Sequence, residues 1–391
     1  MKFSKKIPYG RQDVSAEDVE FVTEVLKSEW LTQGPIVPKF EKAIANYVGS
    51  NFCSLVNSAT SALHISCLAI GVKEGDIVWT SPNTFVASAN CATLCGAKVD
   101  FVDIDEQTFN ISVEALEDKL LKAKKKNCLP KVVIPVHMAG QSCDMKKIFE
   151  LSKKYNFKII EDASHALGGE YLNKKVGSCQ YSDITVFSFH PIKMITTGEG
   201  GAAITNDPEI SKQLELFRTH GITSEASFFI PTPENELWNY QQINLGLNYR
   251  MTDIQASLGL SQLKRIDQFV KKRQSVAFYY NEKFKNTNIK TPHIESYAKS
   301  SFHLYIIQWD FSKLSKTNKF YFMELRKKGV MVNFHYIPVY LQPYYLRKGF
   351  NRGYCPNAEA YFQNSLSIPI YTTITEEELE IVSREIKLLL A

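Results

Sequence analysis

Residues 188–201 have the sequence SFHPIKMITTGEGG and begin at the end of a predicted strand, Ile184 to Phe189. The stretch contains one lysine, Lys193, among apolar and small residues. An amine in apolar surroundings has a lowered pKa, and its neutral form can condense with an aldehyde to form a Schiff base. Lys193 is therefore the first candidate nucleophile, although an isolated lysine is more often a solvated surface residue.

A second candidate, Asp162, ends an apolar run that starts at Phe157 and is predicted to be a buried strand. In open α/β sheets the carboxyl ends of strands are where ligands bind. A carboxylate there can pair with a ring nitrogen and keep it protonated, which makes the ring an electron sink. Without its neighbours, Asp162 would fit a helix N-cap or a surface acid better.

A third candidate, residues 57–63 with the sequence NSATSAL, follows the apolar run from Phe52 to Val56 and opens a helical pattern. The free N–H groups of a helix N-terminus, with the hydroxyls of Ser58 and Thr60, form an anion site suited to phosphate. Serine and threonine at such positions are also common as plain helix caps. The two interpretations are compatible.

Together the three features predict a pyridoxal phosphate pocket, with a phosphate site at residues 58–60, a partner for the pyridine nitrogen at Asp162 and an aldehyde-binding lysine at Lys193. Over essentially its whole length the chain resembles the sugar aminotransferases of the DegT/DnrJ/EryC1/StrS family. The segments that carry the resemblance are 31–35, 57–63, 82–87, 161–165, 188–201, 246–251 and 335–338.

The resemblance implies the aspartate aminotransferase-like fold type I of PLP-dependent enzymes. Residues 162–169, 187–197 and 355–359 are similar to one subgroup of the family. That subgroup implies transfer of an amino group from L-glutamate to C4 of a UDP-linked 4-keto-6-deoxy-N-acetyl-hexosamine, UDP-2-acetamido-2,6-dideoxy-β-L-arabino-hex-4-ulose. The expected product is UDP-4-amino-4,6-dideoxy-N-acetyl-β-L-altrosamine, for pseudaminic acid biosynthesis.

The resemblance also assigns expected roles to residues around the cofactor. Phe85 is expected to stack on the pyridine ring, which aromatic geometry favours, and His165 to lie near the phenolic oxygen. The expected phosphate ligands are Ser58, Ala59, Thr60 and Ser188. Phe85 could instead be a core residue, and an isolated histidine is more often structural.

Five further residues are expected on the substrate side or at a subunit contact. In relatives the asparagine matching Asn248 reaches the phosphate of the partner subunit's cofactor, which implies a homodimer with shared active sites. Arg250 is a candidate contact for substrate phosphate or carboxylate, although many arginines in such turns only pair on the surface. The remaining substrate-side candidates are Thr32, His335 and Tyr336. They could equally well be packing residues at a domain junction.

The order of predicted elements indicates an α/β fold with a mainly parallel sheet. Apolar runs at 77–80, 99–103, 132–136 and 159–162 alternate with helical patterns, and such alternation implies parallel strands. A long amphipathic helix is predicted from Ile254 to Asn281. We place the domain boundary before it, with a large PLP-binding domain at 1–250, including an N-terminal arm, and a smaller C-terminal α/β domain at 251–391.

Composition excludes several other classes of protein. The chain has 391 residues and a net charge of +5, with no region basic enough to indicate nucleic-acid binding. It has no segment of signal-peptide or transmembrane character, so we expect a cytoplasmic protein without membrane association. Its eight cysteines form no Cys-x-x-Cys pair and are expected to be reduced. The eight histidines are scattered, and no metal site is predicted.

Alternative functions remain open from the sequence. The substrate could be another nucleotide-linked 4-keto-6-deoxy sugar, since such sugars differ in ring configuration alone. A family dehydratase has a histidine in place of the lysine, whereas this chain has Lys193. A non-catalytic relative would have little reason to keep the lysine, the aspartate and the phosphate site together. Nicotinamide chemistry is disfavoured because residues 198–201 lack the Gly-x-Gly-x-x-Gly spacing.

Overall fold

The computed structural model describes residues 6–229, 240–310 and 316–390. The α-helices in these ranges are α1 (Ala16–Leu26), α2 (Ile36–Val48), α3 (Ala59–Ala69), α4 (Ala87–Leu94), α5 (Val113–Lys125), α6 (Met145–Tyr155), α7 (Pro208–Arg218), α8 (Asp253–Leu263), α9 (Ile266–Phe284), α10 (Asn318–Lys327), α11 (Pro343–Leu346), α12 (Pro356–Asn364) and α13 (Glu376–Leu388). The strands are β1 (Phe52–Val56), β2 (Ile77–Thr80), β3 (Lys98–Phe101), β4 (Val132–Ile134), β5 (Lys158–Asp162), β6 (Glu170–Tyr171), β7 (Lys174–Lys175), β8 (Ile184–Ser188), β9 (Gly201–Thr205), β10 (Ile222–Thr223), β11 (Gln241–Gln242), β12 (Ile289–Lys290), β13 (Ala298–Lys299), β14 (Tyr305–Trp309) and β15 (Ser365–Ile368).

The largest sheet has seven strands in the order β1-β9-β8-β5-β4-β2-β3. Neighbouring strands from β8 to β3 pair in parallel, and β9 is antiparallel to both β1 and β8. The predicted α/β fold with a mainly parallel sheet is therefore confirmed, and the apolar run at residues 77–80 coincides with β2.

Helices cover both faces of this sheet, which explains why its strands are apolar without alternation. All five residues of β8 are buried, as are four of the five in β5. On one face Phe40 of α2 packs against Phe189, with ring centroids 5.5 Å apart. On the other face α3 packs against β8 and β9. The ends of these strands are thereby held at fixed positions.

A smaller antiparallel sheet, β12-β14-β15, lies in the C-terminal part of the chain and packs with α9, α10 and α13 around a second apolar core. The N-terminal arm joins this part, because Ile7 pairs in parallel with Val330 and donates to Gly329 at 2.9 Å. Helix α8 packs instead against α1 and α2. The division of the chain at residues 250 and 251 stays a prediction.

The segment predicted as one long helix from Ile254 to Asn281 forms two helices, α8 and α9. The break follows Leu263, where the N–H groups of Lys264 and Arg265 bond to carbonyls three residues back. The Arg265 guanidinium reaches the buried Asp18 carboxylate at 2.5 Å. Such a tertiary ion pair leaves no trace in hydrophobic periodicity.

In the described ranges of the chain, no helix combines the length and the apolar character that crossing a membrane requires.

Candidate active site

A cavity of about 610 Å³ lies where the carboxyl ends of β5 and β8 meet the N-termini of α3 and α4. The location is that expected for a ligand site in a parallel α/β sheet. The sequence-predicted site residues that line this cavity are Ser58, Ala59, Thr60, Phe85, Asp162, His165, Ser188, Lys193, His335 and Tyr336.

Lys193 lies in the turn that follows β8 and is partly buried. Its N–H donates to the His190 carbonyl at 2.8 Å, and Thr197 N–H donates to Phe189 at 3.0 Å, so the turn holds the lysine at the cavity wall. Burial lowers the pKa of Lys193 to about 8, although the Asp162 charge opposes that shift. Roughly a tenth of the amine is therefore neutral at pH 7, against less than about a thousandth for an ordinary lysine, and the neutral form can attack an aldehyde.

Asp162 is the last residue of β5 and is 5% exposed. Its Oδ2 accepts a hydrogen bond from the Ser88 hydroxyl at 2.6 Å, and its Oδ1 accepts one from Ser164 N–H at 3.1 Å. A carboxylate can accept about four hydrogen bonds, so these two donors orient the group and leave acceptor capacity. The carboxylate is suited to accept an N–H from a ligand in the cavity.

The N-terminus of α3 forms another part of the wall. Ser58 is its N-cap, and the Ser58 hydroxyl accepts Ser61 N–H at 3.1 Å. The capping interpretation is therefore correct, and Ser58 also lines the cavity. The N–H groups of the first helical turn have no intrahelical partner and can bind an anion.

Gly201 of β9 packs directly against this helix terminus. A Cβ at position 201 would lie 2.6 Å from the Ala59 nitrogen, a distance that non-bonded atoms do not adopt. Glycine is thus required here so that the sheet can approach the first turn of α3. The glycine-rich end of the 188–201 stretch has this steric role.

Aromatic and imidazole side chains close the side of the cavity opposite the sheet. Phe85 is 58% exposed, which is unusual for a large apolar residue and leaves its ring open to a ligand. Tyr336 hydrogen-bonds through its hydroxyl to His165 Nε2 at 3.1 Å. His335 bonds to the Ser367 hydroxyl at 2.8 Å, and burial, with the nearby Lys193 charge, lowers the pKa of His335 to about 3.

Three predicted site residues do not line the cavity of a single chain. Thr32 and Asn248 are exposed and Arg250 is partly buried. Their backbones form isolated bridges, with Thr32 opposite Thr252 and Arg250 opposite Val56. Their predicted roles toward a substrate or a partner subunit stay predictions.

Sequence reasoning missed several cavity residues, which include Tyr9, Ser164, Glu199 and His303, and it missed the buried Ser88, which donates to the Asp162 carboxylate without lining the cavity. Ser88 could have been found, since it lies three residues after Phe85 in a predicted helix and so shares its face. Tyr9 and His303 carry no such signal. They reach the cavity because the N-terminal arm and the C-terminal sheet dock beside it.

Comparison with known proteins identifies close relatives of this chain. Residues 12–387 match the model of the DegT/DnrJ/EryC1/StrS aminotransferase family. The chain is 39% identical to the UDP-4-amino-4,6-dideoxy-N-acetyl-beta-L-altrosamine transaminase of Campylobacter jejuni subsp. jejuni, over 96% of this chain and 95% of that protein.

Two solved structures extend the likeness to the fold. The aminotransferase PseC of Helicobacter pylori, involved in the biosynthesis of pseudoaminic acid, superimposes with a TM-score of 0.88 at 33% identity, over 99% of each chain. The PLP form of Spr1654 from Streptococcus pneumoniae has a TM-score of 0.86 at 29% identity, over 98% of each chain.

The cavity fits pyridoxal 5′-phosphate by its donor set. An amine of lowered pKa, a carboxylate with spare acceptor capacity and an anion-binding helix terminus all line it. His165 Nδ1, which is buried, has no hydrogen-bond partner among the residues of ranges 6–229, 240–310 and 316–390. A buried ring nitrogen of this kind costs about 1–3 kcal/mol unless a ligand or water pairs with it.

Proposed function

Because the chain belongs to the DegT/DnrJ/EryC1/StrS aminotransferase family, we propose that it aminates C4 of a UDP-linked 4-keto-6-deoxy-N-acetyl-hexosamine. It is a PLP-dependent sugar aminotransferase. The proposed donor is L-glutamate and the proposed product is UDP-4-amino-4,6-dideoxy-N-acetyl-β-L-altrosamine. Support for this sugar comes from the 39% identity to the Campylobacter transaminase over nearly the whole chain.

One observation carries the proposal for the chemistry. Lys193, Asp162 and the N-terminus of α3 come from three separate segments of the sequence and line one cavity. Each group suits a different part of the cofactor, namely the aldehyde, the ring nitrogen and the phosphate. Bound there, pyridoxal phosphate supplies an aldehyde carbon for amines and a ring that takes up negative charge.

Lys193 has two roles in this proposal. Its neutral Nζ would hold the cofactor covalently through the aldehyde carbon between turnovers. With the donor amine in its place, the free Nζ would act as a general base that takes the proton from the donor α-carbon and passes it to the former aldehyde carbon. The same amine returns a proton in the second half-reaction, which runs in the opposite direction on the keto sugar.

Asp162 and the remaining residues hold the cofactor in this proposal. Asp162 accepts the pyridinium N–H and keeps that proton on the ring, while Ser88 and Ser164 fix its carboxylate. Phe85 would cover the ring face, and His165 would lie near the phenolic oxygen. The phosphate is bound by Ser58, Ala59, Thr60 and Ser188.

We further propose that the smallest complete enzyme is a homodimer. Asn248 is exposed and outside the cavity of its own chain. Neighbouring Leu245 and Leu247 are 83% and 36% exposed, as expected of apolar residues covered by a second subunit. In this arrangement Asn248 reaches the partner's cofactor phosphate, and the sugar lies near Arg250, Thr32, His335 and Tyr336.

The substrate assignment is tested by incubating the protein with L-glutamate and each candidate nucleotide 4-keto sugar, followed by NMR of the product. We expect amination at C4 of the L-configured UDP sugar. Equal or faster amination of the D-configured isomer would move the assignment to a different sugar pathway. The matched control is Lys193→Ala, in which we expect turnover to fall by roughly 10²–10⁴-fold or more.

Shared active sites are tested by subunit complementation. Lys193→Ala and Asn248→Ala variants are each impaired, and a refolded equimolar mixture contains heterodimers with one intact site if Asn248 acts across the interface. We expect the mixture to recover about a quarter of wild-type activity. No recovery in a mixture shown to contain heterodimers would mean that Asn248 acts within its own chain.

A cytoplasmic location also stays a proposal. Its support is that all eight cysteines are free thiols, as is usual for proteins of reducing compartments.

A further inference from the structure

A segment of the C-terminal part of the chain, residues 300–304, holds His165 from outside the large sheet. Ser301 Oγ donates to the His165 carbonyl at 2.9 Å, and Ser301 N–H donates to the Gly140 carbonyl at 3.1 Å. The His303 ring lies against the His165 ring, with centroids 4.4 Å apart and planes tilted by 44°. The same short segment therefore contacts both the backbone and the ring of His165.

A third contact to His165 comes from Tyr336, whose hydroxyl bonds to Nε2 at 3.1 Å. His165 and His303 are 5% and 3% exposed, and both line the cavity. Nδ1 of each ring lacks a hydrogen-bond partner among the described residues. With Tyr336 on Nε2 and Nδ1 enclosed by protein atoms, contacts within the protein fix the orientation of the His165 ring.

The backbone that carries His303 is fixed by Arg273 of α9. Arg273 is 2% exposed, and its Nη1 donates to the carbonyls of Phe302, His303 and Ile370 at 3.3, 3.2 and 3.0 Å. Burial lowers the pKa of Arg273 to about 10. Placing a guanidinium in the interior is costly unless it is hydrogen-bonded. The bonds from Nη1 tie residues 302 and 303 to α9, while Nε has no partner among the described residues.

We propose that His303 is a positioning residue that acts through His165, holding that imidazole neutral and turned toward the phenolic oxygen of the cofactor. The inference rests on the proposed placement of the cofactor. The ring of His303 covers the ring of His165 and keeps water away from it, so that a proton on His165 has neither solvation nor a carboxylate partner. His303 touches no reacting atom in this account.

Burial and nearby charge also lower the pKa of His165 and so keep its imidazole neutral. Burial lowers the pKa of His165 well below its ordinary value, and the nearby Lys193 ammonium adds to the effect in the cofactor-free protein. The other titratable groups packed around it are His303 and the hydroxyl of Tyr336. A neutral His165 can donate one N–H or accept one, but it cannot place a full positive charge beside the cofactor.

The test uses the PLP-loaded protein and its visible absorbance between pH 5.5 and 8.5. We expect no absorbance step near pH 6.5 in the wild type. His303→Ala admits water beside His165, and we expect a new step centred near pH 6.5, the ordinary pKa of an exposed histidine. His303→Phe restores a ring of similar size and should remove that step.

Leu304→Ala is the matched control. Leu304 belongs to the same segment and is 2% exposed, and it packs in an apolar cluster with Phe101, Met138 and Ile306. It should lose stability without gaining the step. A step in Leu304→Ala, a step retained in His303→Phe, or none in a folded His303→Ala would each overturn the proposal. If His303→Ala does not fold, as judged by thermal melting, His303→Val is judged by the same outcomes.

Failure of this inference is separable from failure of the proposed cofactor placement. Borohydride reduction followed by peptide mass spectrometry locates the covalently bound PLP. Label on a residue other than Lys193 overturns the cofactor placement. Label on Lys193 with no step in His303→Ala overturns the role of His303 alone.

Discussion

Two adjacent carboxylates of β5, Glu161 and Asp162, lie on opposite faces of the sheet and are almost equally buried, at 6% and 5% exposure. Asp162 lines the cavity and has two donors. Glu161 faces the other side, where it accepts hydrogen bonds from His137 Nε2 at 2.6 Å, from Thr185 Oγ1 at 3.0 Å and from the Ser182 hydroxyl.

The difference between them is the completeness of their hydrogen bonding. Burial raises the pKa of Glu161, but its donors outweigh that effect and hold the pKa below its ordinary value. The hydrogen-bonding capacity of Glu161 is therefore used within the protein, and its role is in stability. Asp162 keeps acceptor capacity toward a cavity, and the role that we propose for it is in binding. Burial alone would not separate a structural carboxylate from a functional one.

The largest effect that this comparison predicts is on turnover. Asp162→Asn keeps the side-chain volume and an acceptor for Ser88 but removes the charge that retains a proton on the cofactor ring. We expect kcat to fall by roughly 10²–10⁴-fold, the range typical when control of a catalytic proton is lost. Steady-state kinetics with L-glutamate and the keto sugar measure it.

Urea unfolding of Asp162→Asn provides the control for that measurement. Its free energy of unfolding should stay within about 1 kcal/mol of the wild type, the net contribution of one hydrogen bond. A variant with near-normal kcat would contradict the role given to Asp162.

The neighbouring substitution should have the opposite pattern. Glu161→Gln turns an acceptor oxygen into an amide that cannot satisfy all three donors, and we expect the free energy of unfolding to fall by about 1–3 kcal/mol. The kcat of the folded protein should change little. Urea unfolding and kinetics on the same preparation check both expectations.

A double-mutant cycle with His137→Asn sharpens this result. If the bond between Glu161 and His137 carries the loss, the two substitutions will be non-additive by about 0.5–3 kcal/mol. Additive losses would assign the stability to Ser182 and Thr185 instead.

Sequence reasoning found the sheet side of the site because its signals are local. A strand that ends in an acid, a lysine in a small-residue turn and a serine before a helix each occupy a few consecutive residues. Parallel strands bring such ends to one edge, so Asp162, Ser188 and Lys193 could be expected to meet. For the same reason the apolar runs matched the strand limits at 52–56 and 77–80, and came within two residues of them at β3, β4, β5 and β8.

The opposite wall could not be derived in this way. His303 and Tyr9 reach the cavity through docking of the C-terminal sheet and the N-terminal arm, which depends on contacts far apart in sequence. His335 and Tyr336 were expected at the cavity from family resemblance alone. The break between α8 and α9 lies at Arg265, which pairs with Asp18, and periodicity does not report such a contact.

The cavity residue His335 and the carboxylate Glu161 also differ in how they change stability with pH. The folded-state pKa of His335 is lowered to about 3, so below pH 6.5 the unfolded chain binds a proton that the folded protein does not. Stability therefore falls as pH drops from 6.5, with a slope of about 1.4 kcal/mol per pH unit from this residue. Urea unfolding between pH 5.0 and 7.5 measures it.

His335→Asn should reduce that slope by about 1.4 kcal/mol per pH unit, which is the contribution of one proton. Glu161→Gln should instead steepen it, because Glu161 helps to raise the pKa of His137 to about 10, and without that carboxylate burial would keep the imidazole neutral in the folded protein below pH 6.5. An unchanged slope in His335→Asn would show that the imidazole protonates in the folded protein.

The smallest expected effect is a shift in the titration of Lys193. Competitive labelling of the cofactor-free protein with limiting acetic anhydride, read by mass spectrometry of the Lys193 peptide, reports the fraction of neutral amine. Labelling should rise about tenfold per pH unit and level off above a pKa of about 8, whereas an ordinary lysine titrates near 10.4.

Burial lowers the pKa of Lys193 and the Asp162 charge raises it. Asp162→Asn should therefore move the midpoint to lower pH, and Glu161→Gln, which changes a carboxylate on the far face, should leave it in place. Equal shifts in both variants would mean that the two faces of β5 are not electrostatically distinct, and the contrast between the two carboxylates would have to be abandoned.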